Sequence, residues 1–373
     1  MRSLARAAAV LVFSIALAGD PARAKDGPAS SPGSPARATA PARAPARATG
    51  QSAPAPAPAA VPGGSDSDVV RLRFAWPAAA EVQATQRRTR HRTGHPPSTT
   101  TTRFTQRLEQ EGGVLRIRTR GTSWEGDAPY PGPPAAVDGI LRAAESVVQV
   151  VSPEGEFAAL DGVEALRPAM ARLLEGSVPE DQLERALAFA EAAMQAQARE
   201  MWNLSVGFWI GADLELGERY GMKTEAEVPL LGTKTDFEQE FSVRRRVPCS
   251  ARDHEERCVE ITLRAAPDPA ALPGLAGAVV AKLAGLEAKL PEGALRELVV
   301  ENELLLVTEP GTLLPHRFVW TRSVRATLAD SEGAKGEPRV LEQVDRTESD
   351  YQYDAPASRK KPARKAKRAA ARG

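Results

Sequence analysis

Histidine and cysteine are scarce here: the 373 residues include four of the first and two of the second. Two cysteines are too few for a disulfide-dense scaffold. The histidines, His91, His95, His254 and His316, offer little imidazole for acid–base catalysis. No Gly-x-x-x-x-Gly-Lys-Ser/Thr and no Gly-x-Gly-x-x-Gly occurs, which excludes the nucleotide-cradling loops. The nearest approach to a nucleophile elbow, Asn203-Leu204-Ser205-Val206-Gly207, lacks the first glycine of the strained turn. The sequence therefore assigns no catalytic residue, no metal and no cofactor. No transmembrane segment is expected in the mature chain either: the apolar run Ala7 to Ala18 is short of the roughly 20 residues that cross a bilayer.

That run has another reading. Arg2 and Arg6 precede it and small residues follow, the three-part layout of a secretory signal. Cleavage after Ala24 or after Ala18 fits the small-x-small rule, so 1–24 is read as a signal peptide and the protein as exported, periplasmic or secreted. Residues 25–66 are almost wholly Pro, Ala, Ser, Gly, Thr and Arg. They lack side chains large enough to offset the entropy of ordering and read as a disordered linker. The other end, 359–373, holds eight basic residues and no acid, including Arg359, Lys360, Lys361, Arg364, Lys365, Lys367 and Arg368. A disordered basic tail seeks polyanions. Export points it to anionic envelope polymers or lipid headgroups ahead of nucleic acid. The first 65 residues carry seven basic and two acidic side chains, so of the total charge of +1 the stretch 66–358 holds −12.

Residues 67–358 are read as a single α+β domain, with a division near 205 as an alternative. Alternation of apolar and polar residues predicts strands at Val69 to Trp76, at 81–92 and 99–110 as a long hairpin around Gly94, and at Val114 to Thr119. A short pair follows at Val147 to Ser152 and Glu156 to Leu160. The middle is helical: Val163 to Leu174, then an amphipathic run to Trp202 opened by the capping-box string Ser177-Val178-Pro179-Glu180, with Leu183, Leu187, Ala190 and Met194 facing the core. Strands return at 213–220, 222–229, 235–247 and 257–265. A helix at 270–290 and three long strands at 295–308, 313–328 and 338–353 close the chain. Strands in runs with helices between them argue for a mostly antiparallel, curved sheet with covering helices, half-open like an incomplete barrel.

Cys249 and Cys258 stand at opposite feet of a hairpin loop and are expected to form a disulfide. His254 between them, with Asp253 or Glu255, permits a metal reading that export disfavours. His91 and His95 are four apart on a hairpin arm and its tip, where that spacing does not bring two rings together. His316 reads as a strand-edge histidine. The basic runs Arg87 to Arg92 and Arg244-Arg245-Arg246 read as solvated faces, and Glu238, Glu240, Glu301 and Glu303 as the outer face of a sheet.

The opening strand Val69 to Trp76, the turn Val151-Ser152-Pro153-Glu154-Gly155-Glu156-Phe157, the entry Gly217-Glu218-Arg219-Tyr220 and Thr312-Leu313-Leu314-Pro315-His316-Arg317 together resemble a family of uncharacterised exported bacterial proteins. The order of elements is also similar to that of periplasmic lipoprotein carriers. That resemblance implies a half-open barrel cupping a lipid against helices. The leading expectation is thus a noncatalytic envelope protein binding a lipid or other hydrophobic ligand in a half-barrel cleft. Behind it stands a structural or interaction module tethered by its basic ends, and behind that an enzyme of unrecognised type.

Overall fold

A computed structural model describes residues 68–127, 134–175, 178–228, 234–284, 294–329 and 339–353. The signal segment, the linker, the basic tail and Ser177 of the capping-box string lie outside these residues.

The chain opens with β1 (Val69–Arg71), which pairs antiparallel with β7 (Asp213–Glu215). It is shorter than the expected strand to Trp76. Past Arg71 the backbone N–H groups leave the ladder and donate to loops, Leu72 to Ala212, Arg73 to Pro310 and Ala75 to Thr312. The long hairpin forms as expected from β2 (Ala79–Arg92) and β3 (His95–Glu111), with Gly94 at φ 80 in its turn. Then come β4 (Val114–Gly126), helix α1 (Pro134–Ala144), β5 (Val148–Val151) and β6 (Phe157–Asp161). The expected helix 163–174 divides into a 3-10 turn at Val163–Leu166 and α2 (Arg167–Leu174). Pro168 in the first turn explains the break, because its ring suits a helix start and not a helix interior. Helix α3 (Glu180–Ser205) buries Leu187, Ala190, Met194, Ala198 and Trp202 at three- and four-residue spacing. After it run β8 (Tyr220–Glu227), β9 (Lys234–Val247), β10 (Cys258–Pro267), α4 (Leu272–Ala284), β11 (Leu295–Thr308), β12 (Pro315–Leu328) and β13 (Arg339–Tyr353).

Eleven of the strands form one antiparallel sheet in the order β6-β5-β4-β3-β2-β13-β12-β11-β10-β9-β8. Neighbours in space are neighbours in sequence except at β2–β13, where the last strand closes against the first long one through pairs such as Asp345 with Arg90. Among the described residues the edge strands β6 and β8 do not pair with each other, so the curved sheet stays open, as a half-barrel does. An unpaired edge invites further pairing. At β6 the α3 side chain of Gln195 occupies it: its amide oxygen accepts from Leu160 N–H at 2.9 Å and its amide nitrogen donates to Leu160 C=O at 2.8 Å.

Over most of the sheet the two faces differ in polarity. Inward residues join the helices in one apolar core that runs from Val82 and Leu108 through Leu304, Leu306 and Phe318 to Phe237 and Val243. The outer face carries ion pairs between neighbouring strands, among them Arg264 with Glu301, Lys223 with Glu238 and Arg245 with Glu260. The fully exposed pair, Lys223 with Glu238, contributes little, about 0–1 kcal/mol.

Candidate functional site on the inner face of the sheet

The parity of β2 sets the site. Its even residues point inward, beginning with Ala80, Val82 and Ala84 and continuing, on the same face, with Gln86, Arg88 and Arg90. The basic run therefore does not form a solvated face throughout: Arg87 is exposed, but Arg88 is only 5% exposed. Burial without a partner would be prohibitive for a guanidinium. Asp345, opposite on β13, supplies the partner, accepting from Arg90 Nε at 2.7 Å, Arg88 Nη2 at 3.1 Å and Gln343 Nε2 at 2.8 Å. Desolvation lowers the Arg88 pKa to about 10, against the attraction of Asp345. Desolvation alone would raise Asp345, but the charges of Arg88 and Arg90 outweigh it and hold that carboxyl at about 2.

Cross-strand register extends this cluster into a row at right angles to the strands. Arg90 faces Asp345, Asp345 faces Arg322 on β12, and Arg322 faces Asn302 on β11. Arg322 reaches up to α3, where its Nη2 donates to Glu200 Oε1 at 2.6 Å, and its guanidinium lies 5.7 Å from the ring centre of Trp320. Asn302 and Trp320 are 6% and 7% exposed. Asn302 Oδ1 and Trp320 Nε1 are buried with no hydrogen-bond partner among the described residues. Aliphatic and aromatic residues flank the row on the same face: Leu304, Leu306 and Phe318 on one side, Val300, Val324 and Ala326 on the other. A polar stripe with two unpaired hydrogen-bonding atoms thus crosses an apolar sheet face under α3.

A second cluster gathers at the ends of β9 to β12. Cys249 and Cys258 form the expected disulfide, with Cα atoms 5.0 Å apart. In the chain-entropy account a loop of this length contributes roughly 2–3 kcal/mol. The Cys249→Ser/Cys258→Ser double variant is expected to lose that amount in urea unfolding, and an unchanged midpoint would contradict the assignment. His254, the imidazole between the two cysteines in sequence, is exposed. The imidazole beside them belongs to His316, and the carboxylate to Glu309, whose Oε1 lies 3.5 Å from His316 Nε2. They meet because the chain between β11 and β12 folds tightly through Leu313 at φ 58, a left-handed conformation that costs a branched side chain energy. Burial pushes His316 below its ordinary pKa, against the pull of Glu309. Of the other histidines, His91 on β2 stands 3.8 Å from Glu342. The Arg359–Arg368 basic residues lie outside the described residues. Ser205, in the elbow-like string, ends α3 and donates to Met201 C=O at 2.8 Å.

Sequence reasoning missed the stripe and the Glu309–His316 pair. For the stripe a signal existed: Arg88 and Arg90 share parity with Val82 and Ala84. Among the described residues no helix is long and apolar enough to cross a membrane.

No protein-family model and no curated protein matches the chain. Among solved structures it is similar to one described as lipid–protein interactions in lipovitellin, at 10% identity and a TM-score of 0.39, over 76% of this chain. The chain spans 26% of that lipovitellin chain's length. A structure of Pseudomonas aeruginosa OccK2 (OpdF) in complex with glucuronate aligns at 9% identity and a TM-score of 0.14, over 78% of this chain and 97% of that one.

Proposed function

We propose that this chain is an exported, noncatalytic protein that binds an amphipathic ligand of the lipid class on the helix-covered inner face of its sheet. The observation that carries this reading is the stripe itself. A face serving only as core gains nothing from Asn302 Oδ1 and Trp320 Nε1 left unpaired, since each such buried group costs about 1–3 kcal/mol. A ligand's polar group offering one donor and one acceptor would satisfy both. The row's three arginines, Arg88, Arg90 and Arg322, outnumber the carboxylates they meet, Asp345 and Glu200, which suits an anionic headgroup, and Leu304, Leu306 and Phe318, buried against the helices here, are the apolar residues an acyl chain would meet. The basic tail adds an anionic envelope surface as partner, which suits a protein that collects its ligand from such a surface.

Native mass spectrometry of the full chain, recovered from the periplasm of an expressing bacterium, tests this. A co-purifying lipid at fixed ratio is the expected result, with reloading from vesicles of anionic phospholipid after delipidation. Asn302→Leu removes one unpaired atom at nearly constant volume and is expected to weaken uptake about tenfold, equivalent to about 1.4 kcal/mol, while leaving the fold intact. A clean apo mass with no uptake from vesicles would overturn the reading and turn attention to the interaction module.

A further inference from the structure

We infer that Cys249, Cys258, His316 and Glu309 form a redox-gated zinc site: a disulfide when oxidised, a four-ligand metal centre when reduced. One ligand atom from each of the four residues lies within 4.8 Å of all the others. Sulfur, imidazole nitrogen and carboxylate oxygen are the donors zinc takes, and about 2.0–2.3 Å bonds in a tetrahedron place ligand atoms roughly 3.3–3.8 Å apart. Assembling the site therefore takes two movements: the sulfurs, bonded to each other here, part once the disulfide is reduced, and the ligand atoms that start farthest apart close by about 1 Å.

The surroundings suit a metal centre. His316 Nε2 is buried and has no hydrogen-bond partner among the described residues, although Glu309 Oε1 stands 3.5 Å away. An imidazole nitrogen held dry beside two sulfurs and 3.5 Å from a carboxylate, too far for a good hydrogen bond, suits a cation between them. The remaining atoms are already positioned. Glu309 Oε2 accepts from the Thr312 hydroxyl at 3.0 Å, and the His316 ring packs 5.0 Å from that of Tyr353. Partners of this kind orient ligands in metal sites. Charge also balances: two thiolates, one carboxylate and a divalent cation sum to −1, and Arg257 Nη1 stands 4.0 Å from Glu309 Oε1.

The chemistry is a thiol–disulfide exchange followed by ligation. A dithiol reductant gives two electrons and two protons to the Cys249–Cys258 bond and becomes a cyclic disulfide. Zinc then displaces the two thiol protons to solvent and binds the thiolates. In reverse, a disulfide oxidant takes two electrons from the thiolates, the sulfur–sulfur bond re-forms and the cation leaves.

The test uses the full chain, oxidised or reduced with a phosphine under nitrogen, with cobalt(II) and zinc(II) as probes. The reduced chain is expected to bind one zinc by native mass spectrometry and to show the thiolate-to-cobalt charge-transfer band with the visible bands of tetrahedral cobalt. The oxidised chain is expected to show neither. His316→Ala and Glu309→Gln are each expected to weaken zinc at least tenfold in the reduced chain, whereas His254→Ala leaves it unchanged. Absence of the cobalt bands in reduced wild type, including a reduced chain that unfolds and does not refold with metal, would overturn the proposal. So would equal affinity in the His316 and Glu309 variants, or loss of the metal in His254→Ala.

Discussion

Truncating Trp202 to alanine is expected to lower the unfolding free energy by about 3–5 kcal/mol, the range for a large aromatic removed from a packed core. Trp202 closes α3 at 4% exposure and meets Trp76 edge-on at 5.2 Å and Phe74 at 6.2 Å between ring centres. Its indole N–H donates to Gly155 C=O at 2.8 Å. Three segments distant in sequence meet at this one side chain: the extended stretch after β1, the β5–β6 turn and the helix that covers the sheet. Gly155 shows how tightly they meet, for it sits at φ 92 and a Cβ there would lie 2.6 Å from the Phe74 ring. Trp202→Phe separates the contributions. It keeps most of the ring contact and loses the hydrogen bond, leaving Gly155 C=O unpaired, so it should cost only about 1–3 kcal/mol. Urea unfolding of both variants measures this. A loss below about 1 kcal/mol in Trp202→Ala would show that the three segments do not depend on one another.

Legibility in the sequence followed the range of the interactions involved. The strands β2, β3, β11, β12 and β13 are long and alternate regularly, and their bounds fall within two or three residues of expectation, apart from the start of β3 at His95 rather than 99, because a half-buried strand writes its pleat directly into the chain. Helix α1 went unread. It is eleven residues long and starts on the last proline of Pro-Gly-Pro-Pro, punctuation that reads as loop, though Ile140 within it is fully buried. The pairing of β2 with β13 brings together residues about 250 apart, and nothing local specifies it. The same distinction holds at the sites. The disulfide was legible because both cysteines flank one hairpin. Glu309 and His316 were not legible as partners, because their meeting depends on Leu313 adopting a conformation rare for leucine. The polar stripe needed the register of four strands at once.

Replacing Asp345 by alanine is expected to cost about 3–5 kcal/mol, since it leaves the Arg88 guanidinium buried without its counter-charge. The pH dependence identifies the cause. An acid whose folded pKa lies below its unfolded value contributes stability above the unfolded pKa and loses it as pH falls through the folded one. For Asp345 the window runs from its ordinary 3.8 down to about 2, and the contribution is about 2 kcal/mol. Wild type should therefore lose that amount across this window, and its stability should converge on that of Asp345→Asn as the window is crossed. Parallel curves for the two proteins would mean that Asp345 does not stabilise the fold through its charge. The combined change Arg88→Met/Arg90→Met/Asp345→Leu, which removes the carboxylate together with both cations that donate to it, carries the argument to function. Exchanging a buried ion pair for apolar residues of similar volume is often neutral or stabilising, so this variant should recover most of what alanine loses. If the stripe served stability alone, a more stable apolar face would take up lipid as well as wild type does. Reduced uptake by this stable variant would instead mean that the charges are retained for the polar group of a ligand.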